Sequence, residues 1–423
     1  MDHNTRTTSF EKQTAKTKET APKSKTRSSS LLMISSGMTF LAAIPQRAGT
    51  TTSMRSSTRR SLPFNETLKD HSDEFFELHH SRLVVEIRVL VERAFCPTGR
   101  PNIYPWLESY PEQFLKLVEL VARPDPHAGL WARLLRDGAE RSCLLQAIIT
   151  KIIDTKVFSS LLFGADHEHQ NILQSTDASL VNAEGFRRSY VRAQTNRLYL
   201  RSKRGLPPLF WEEIDRLCTQ VFVLVVPVFS WTSKIQGWES PSAQELHQWL
   251  HDVIAYAGWL NICNRLSPAI IVSDWIKPGT LYDLNQVNLA HEVYVHSKEA
   301  AQKRVEMLSP AMGYNTTARV KISVGPEVFR YRPAKNEMEM EGVAKYTIMR
   351  PHVVYYEGRE LDQDEEETFV NLPTYIIWLR DEKTMPHHAA LAIMIIAALS
   401  LWVSFTSSGQ RVWRLIQWCI SQG

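Results

Sequence analysis

The sequence predicts a mainly α-helical globular body with a small antiparallel β region and one C-terminal transmembrane helix candidate. Three observations carry that prediction. Apolar residues recur at helical spacing through most of residues 66–265. β-branched and aromatic residues alternate or cluster between Val320 and Tyr356. A run without one charged side chain, Ala389 to Phe405, stands close to the C-terminus.

Composition bounds the classes open to the chain. Its 423 residues, 43% hydrophobic and 22% charged, are enough to bury a sizeable core in two or three domains and are too polar for a polytopic membrane protein. The net charge of +4 is unevenly spread: residues 1–62 hold 11 Lys or Arg against 3 Asp or Glu, so the rest of the chain is net acidic. Cys96, Cys143, Cys218, Cys263 and Cys419 are odd in number, far apart and without a C-x-x-C pair, which predicts free thiols in a reducing compartment.

Residues 1–65 read as a disordered basic arm rich in Ser and Thr, because so few large apolar groups cannot offset the entropy of ordering. Leu31 to Pro45 interrupts it with a mild apolar patch between basic flanks, and a signal segment or a mitochondrial presequence stands beside disorder as a reading of it. The sequons at Asn65 and Asn315 matter only in a secreted protein.

A helical domain is expected over 66–265. Phe75, Leu78, Val85 and Val89, with Leu83, Val84, Ile87 and Leu90, give a long helix closing before Cys96 and Pro97. Trp106 to Ala122 forms a second helix. Asp125 and Pro126 then read as a cap and first turn for a run over 126–160, broken near Gly138. Residues 186–203 form another helix, and Ser242 with Glu245 makes a capping box for the stripe Leu246, Trp249, Leu250, Val253, Ile254, Ala257 and Leu260.

Residues 266–383 predict a mixed α/β region. Strands are expected at Val320 to Val324, Val328 to Tyr331 and Ala344 to Tyr356. The seven carboxylates between Glu357 and Glu367, Asp362, Asp364, Glu365 and Glu366 among them, read as a solvated linker, and Thr374 to Leu379 as a short packed or interfacial helix.

The membrane candidate spans 386–407, with a short tail over 408–423. Its side chains include Ala389, Leu391, Ile393, Ile395, Ile396, Leu399, Leu401, Trp402 and Phe405. Seventeen residues rise about 26 Å as a helix, near the lower limit for crossing a bilayer. The uncharged stretch is longer, 27 positions between Lys383 and Arg411. The Leu, Ile, Val and Phe side chains of the run offer roughly −2 to −5 kcal/mol of insertion energy. A buried core helix is the competing reading, and Trp402, Trp413 and Trp418 favour the bilayer because indole rings prefer its interface. Only 18 residues follow the run, so insertion is expected after synthesis, leaving the body facing the cytosol at the mitochondrial outer membrane or endoplasmic reticulum.

No motif names a reaction. His291-Glu292 to His296 has its histidines five apart, so on a helix the two rings diverge by about 140° and cannot share one metal. Asp166-His167-Glu168-His169 reads as a solvated turn, and His387 and His388 as polar anchors at the mouth of the apolar run. No P-loop, dinucleotide turn, nucleophile elbow or kinase signature is present. Neither catalytic, metal nor cofactor residues are therefore assigned. The conspicuous polar feature is a carboxylate-free run of seven cations, Arg187, Arg188, Arg192, Arg197, Arg201, Lys203 and Arg204, interleaved with Tyr190 and Tyr199. Such a run suits phosphates of lipid or nucleic acid, but Arg188 and Arg192 fall on a different helix face from Arg197 and Arg201, which favours solvated or ion-paired side chains.

Three phrases, VARPDPHAGLWARLLRD at 121–137, VFSSLLFGAD at 157–166 and VKISVGPEVFRYRP at 320–333, resemble a lineage-restricted group of uncharacterised helical proteins from filamentous ascomycete fungi. The resemblance covers roughly residues 70–360 and implies no activity. The expected function is a non-enzymatic interaction or scaffold module tethered to a lipid bilayer and serving an unidentified protein partner. Two other expectations compete with it: a soluble, cytoplasmic or nuclear, nucleic-acid-associated regulator using residues 1–62 and 187–204, and an enzyme whose site assembles from distant residues.

Overall fold

In the computed structural model the described residues are 62, 69–97, 104–182, 185–237, 240–307, 315–335, 341–405, 411 and 413. The chain divides into Met1–Thr50 and Thr51–Gly423, and all described residues belong to the second unit. The basic arm, its apolar patch and Cys419 lie outside the described residues, except that Leu62, at the arm's end, packs half-buried against the core.

Polar caps set the helix starts. In α1 (Asp73–Phe95) the Ser72 hydroxyl accepts from the Phe75 amide at 3.3 Å, and Asp73 and Glu74 favour the positive end of the helix dipole. The buried face of α1 carries Phe76, His80, Leu83, Ile87, Leu90 and Val91, whereas Leu78 and Val85 are exposed. The expected stripe was thus wrong in phase, because the apolar surplus on α1 left two registers open. A 3-10 turn at Pro105–Leu107 precedes α2 (Glu112–Val121), so the helix expected from Trp106 is split at Pro111. Asp125 does not start a helix: its carboxylate accepts from the amides of His127 and Ala128 in a tight turn, and Gly129 and Leu130 both take positive φ. Helix resumes as α3 (Ala132–Arg136), and Asp137 then caps α4 (Gly138–Ile153) by accepting from Ala139 and Glu140.

The end of α4 widens into a π turn, Asp154–Phe158, closed by a bond from the Ser159 amide to the Asp154 carbonyl at 3.0 Å. Next come α5 (His167–Ser179), α6 (Gly185–Ser202), α7 (Phe210–Gln236) and α8 (Ala243–Leu266), the last with its capping box formed. By length and composition α7 is the one helix among the described residues long and apolar enough to cross a membrane, and half of its apolar window is buried. It packs against α8, α1 and α2. The periodicity argument had not singled it out.

The strands form two small sheets. In the first, β1 (Ile270–Asp274), β4 (Glu327–Lys335) and β5 (Glu341–Met349) lie antiparallel in the order β1-β4-β5. In the second, β6 (His352–Arg359) pairs antiparallel with β3 (Thr316–Gly325) and parallel with β2 (Val287–Asn288). Between β2 and β3 runs α9 (His291–Met307). The segment expected as one strand over 344–356 is two, turning at Arg350 and Pro351. The helices and both sheets share one apolar cluster, in which Trp106, Trp131, Trp231 and Trp259 are fully buried. Large apolar side chains each contribute about 1.5–3 kcal/mol on full burial.

The acidic segment is not a solvated linker. Glu357 and Glu365 are buried, and residues Asp362–Glu367 form α10. The Glu365 carboxylate accepts from the Tyr356 hydroxyl and from the Arg359 amide at 2.8 Å, and faces Arg123 at 3.5 Å. The final helix, α11 (Leu372–Phe405), absorbs the expected Thr374–Leu379 piece and continues through Pro386. Its base is fixed by Leu372, Ile376 and Leu379, which are buried, and by the Trp131 indole, which donates to the Val370 carbonyl at 2.7 Å.

One glycine is critical to the junction before α7. Gly164 sits at φ +75°, and a Cβ there would lie 2.5 Å from the Phe210 Cα. Gly164→Ala is expected to cost about 3 kcal/mol or more, combining left-handed strain with overpacking. Denaturant unfolding checks this, and a variant within 1 kcal/mol of the parent (roughly the lower end of such effects) would contradict the close packing.

Candidate functional site

The expected cation run lies on α6 and is not a stripe. Arg187, Arg201, Lys203 and Arg204 are exposed, with Lys203 5.8 Å from the Tyr199 ring centre. Arg188 is half-buried. Arg197 donates to the Leu266 carbonyl at 2.7 Å, closing the C-terminus of α8, while Arg192 turns towards Asp177 at 3.5 Å. The histidine motifs fare as structure rather than chemistry. His291 and His296 are exposed on the first turns of α9. His169 is buried, stacked on Tyr199 at 3.7 Å and bonded to Asn196, and Asp166 caps α5; the expected solvated turn was mistaken because its partners lie on α6. Among the described residues no group of three His, Cys, Asp or Glu is placed to hold a metal, and Cys96, Cys143, Cys218 and Cys263 are free thiols. Burial pushes the Cys143 and Cys218 thiols up to about 12, which leaves them unreactive at neutral pH.

The apolar run on α11 is differently placed from α7. Its described side chains Met394, Ile395, Ala397, Ala398, Ser400, Leu401 and Trp402 are all exposed, Met394 by 68% and Leu401 by 58%. At 100° per residue these seven positions cover roughly 220° of the helix circumference.

A polar cleft of about 350 Å³ opens between the π turn, α6, the end of α8 and β1. The π turn builds its floor. α8 staples the carbonyls at the end of the turn and just beyond it: the buried Asn261 amide donates to Val157 at 2.9 Å, and Arg265 Nε donates to Ser160 at 2.8 Å while its Nη2 donates to Phe158. Asn261 and Arg265 are four apart and so share one face of α8. From α6 come Ser189, bonded to the Ala269 carbonyl, and Arg192. Asp154 accepts a hydrogen bond from the Trp275 indole N–H at 2.8 Å, with Lys151 over that indole at 4.3 Å. His80 enters from α1 and meets Asn264 at 3.5 Å. β1 pairs with β4 along one edge, and Ile270 to Ser273 line the cleft.

Electrostatically the cleft is cationic on its α6 and α8 walls. Burial, then the neighbouring Arg192 charge, pulls the Arg265 guanidinium down to about 10, still protonated at neutral pH. Burial also lowers the His80 imidazole to about 4, so it stands neutral and can exchange hydrogen bonds without adding charge. Such an arrangement can bind and orient a polar ligand. It holds no nucleophile paired with a base. Arg192 belonged to the expected cation run, whereas Arg265 and His80 escaped notice, each standing among other polar residues on an amphipathic helix with no spacing to set it apart.

No family model matches the chain, and neither a curated protein nor a solved structure does so.

The depressed His80 pKa sets an acid response. The unfolded chain binds the proton near pH 6.5 and the folded one only near 4, so stability is undiminished above 6.5, falls as the pH drops through that window and levels off below it. The loss attributable to His80 is on the order of 3 kcal/mol. Chemical unfolding at pH 7 and pH 4.5 checks it. His80→Gln is expected to lose distinctly less stability over that interval than the parent, and equal losses would place the imidazole in water.

Proposed function

We propose that the chain is a membrane-tethered, non-enzymatic interaction module, with its folded body held to a bilayer by the C-terminal half of α11. The observation that carries the reading is the exposure of apolar side chains around that half, on a helix whose first turns are anchored in the core. Leaving Met394, Ile395 and Leu401 in water forfeits about 1.5–3 kcal/mol each, which hydrocarbon would return. A core helix buries such residues, as α7 does with Val221, Val225 and Val228. The body then stays on the cytosolic side, at the mitochondrial outer membrane or the endoplasmic reticulum, and presents its cleft there to a partner. The scattered orientation of the α6 cations supports solvated or paired roles better than a nucleic-acid track.

Fractionation tests the tether. The full chain is expected in the membrane pellet and to resist alkaline carbonate. Truncation after Lys383 should move the body to the soluble fraction, and so should Ile395→Arg, which puts a cost of about 2.5–3.5 kcal/mol at the centre of the span. Carbonate extraction of the full chain, or aggregation of the truncated body from an opened core, would overturn the proposal.

A further inference from the structure

We infer that the cleft between the π turn, α6 and β1 binds the phosphate group of a small hydroxylated phosphomonoester. The inference stands apart from the tether, since it rests on donors the fold leaves unused. Arg265 bonds the carbonyls of Phe158, in the π turn, and Ser160, just after it, through Nη2 and Nε, and its Nη1 makes no hydrogen bond within the protein. No carboxylate lies within 4.0 Å of it. Arg192 meets Asp177 at 3.5 Å through Nη1 alone, which leaves its Nε and Nη2 free. A clamp for the π turn would need only the two bonds Arg265 already makes. Two adjacent guanidiniums facing one cavity are instead a repulsive arrangement that an anion relieves.

The identity of the anion follows from counting donors. The three unused guanidinium nitrogens carry five N–H donors between them, more than the roughly four lone pairs a carboxylate presents, and suit the three terminal oxygens of a phosphomonoester. Around the cleft Arg192, Arg265 and Lys151 stand against Asp154 and Asp177, a surplus of one positive charge, with His80 neutral. Asp154 also shapes the rest of the ligand. Its Oδ2 holds the Trp275 indole and its Oδ1 accepts nothing within the protein, so a ligand hydroxyl can donate there. A volume of about 350 Å³ accommodates a phosphate with a short polyol chain. The same group could arrive as a free metabolite or as a lipid headgroup.

Calorimetric titration of the full chain in neutral detergent with inorganic phosphate and with glycerol 3-phosphate tests the site. Both are expected to bind, glycerol 3-phosphate several-fold tighter. Arg192→Gln, which leaves the π-turn clamp intact and keeps a hydrogen-bond donor for Asp177, should weaken both at least tenfold without lowering the melting temperature. Asp154→Asn should erase the preference for glycerol 3-phosphate while retaining phosphate binding. Flotation with phosphatidylcholine vesicles, with and without phosphatidic acid, separates the sources: an increment on adding phosphatidic acid that Arg192→Gln removes assigns the headgroup, and its absence beside binding of glycerol 3-phosphate assigns the free ester. No binding of any of these probes would overturn the inference, as would binding that Arg192→Gln leaves unchanged.

Discussion

Two opposite charges that no water reaches hold the body together. Lys321, on β3, and Glu140, on the first turn of α4, are both fully buried and meet at 2.6 Å. Asp125 lies 3.9 Å from Lys321 and Arg133 lies 3.3 Å from Glu140, so two cations face two anions. An isolated charge in this place would cost several kcal/mol, and only the matched set makes the burial tolerable. Because the partners sit on a strand and a helix, the arrangement fixes the second sheet against the helices in one register. The loop after α2 obeys the same constraint: the Arg123 amide bonds to the Lys321 carbonyl at 2.8 Å, extending the sheet by one bridge.

A second ring of charge carries this constraint towards α11. The Arg319 guanidinium, also buried, gathers the carbonyls of Gly279 and Glu360 at 2.7 and 2.8 Å and the Asp362 carboxylate at 2.8 Å. Arg123 pairs with Glu365 and Glu366 and lies over the Phe369 ring at 4.8 Å. These contacts draw α10 onto the body, and the Glu119 carboxylate, accepting from the Leu372 amide at 2.9 Å, sets where α11 begins. The apolar half of α11 therefore leaves a rigid base. On the opposite side of α4 the same helix ends in the π turn, so one element links the buried charges to the cleft.

Much of this was legible locally. Ser242 with Glu245 announces α8 outright, whereas the caps at Ser72, Asp137 and Asp166, equally short-range, were not read from the sequence. The span of α6 and the strands β3 and β4 follow from periodicity. What escaped was set by partners distant in the chain. Glu365 resembles its solvated neighbours until Tyr356 and Arg123 arrive, and Lys321 in a strand of apolar residues reads as a surface position until Glu140 meets it. The cleft illustrates both cases: Arg192 stood out through its neighbours on α6, while Arg265 and His80 acquire meaning only where the π turn brings three helices together. Nothing in the residues Asp154 to Phe158 announces a π turn.

A double-mutant cycle on Lys321→Met and Glu140→Leu reads the central constraint directly. Each single substitution strands a buried charge and is expected to cost about 3–5 kcal/mol in denaturant unfolding, whereas the double variant, with neither charge left, should cost clearly less than the sum. Losses that add to within about 0.5 kcal/mol would contradict the account, because the two residues would then be stabilising the body independently.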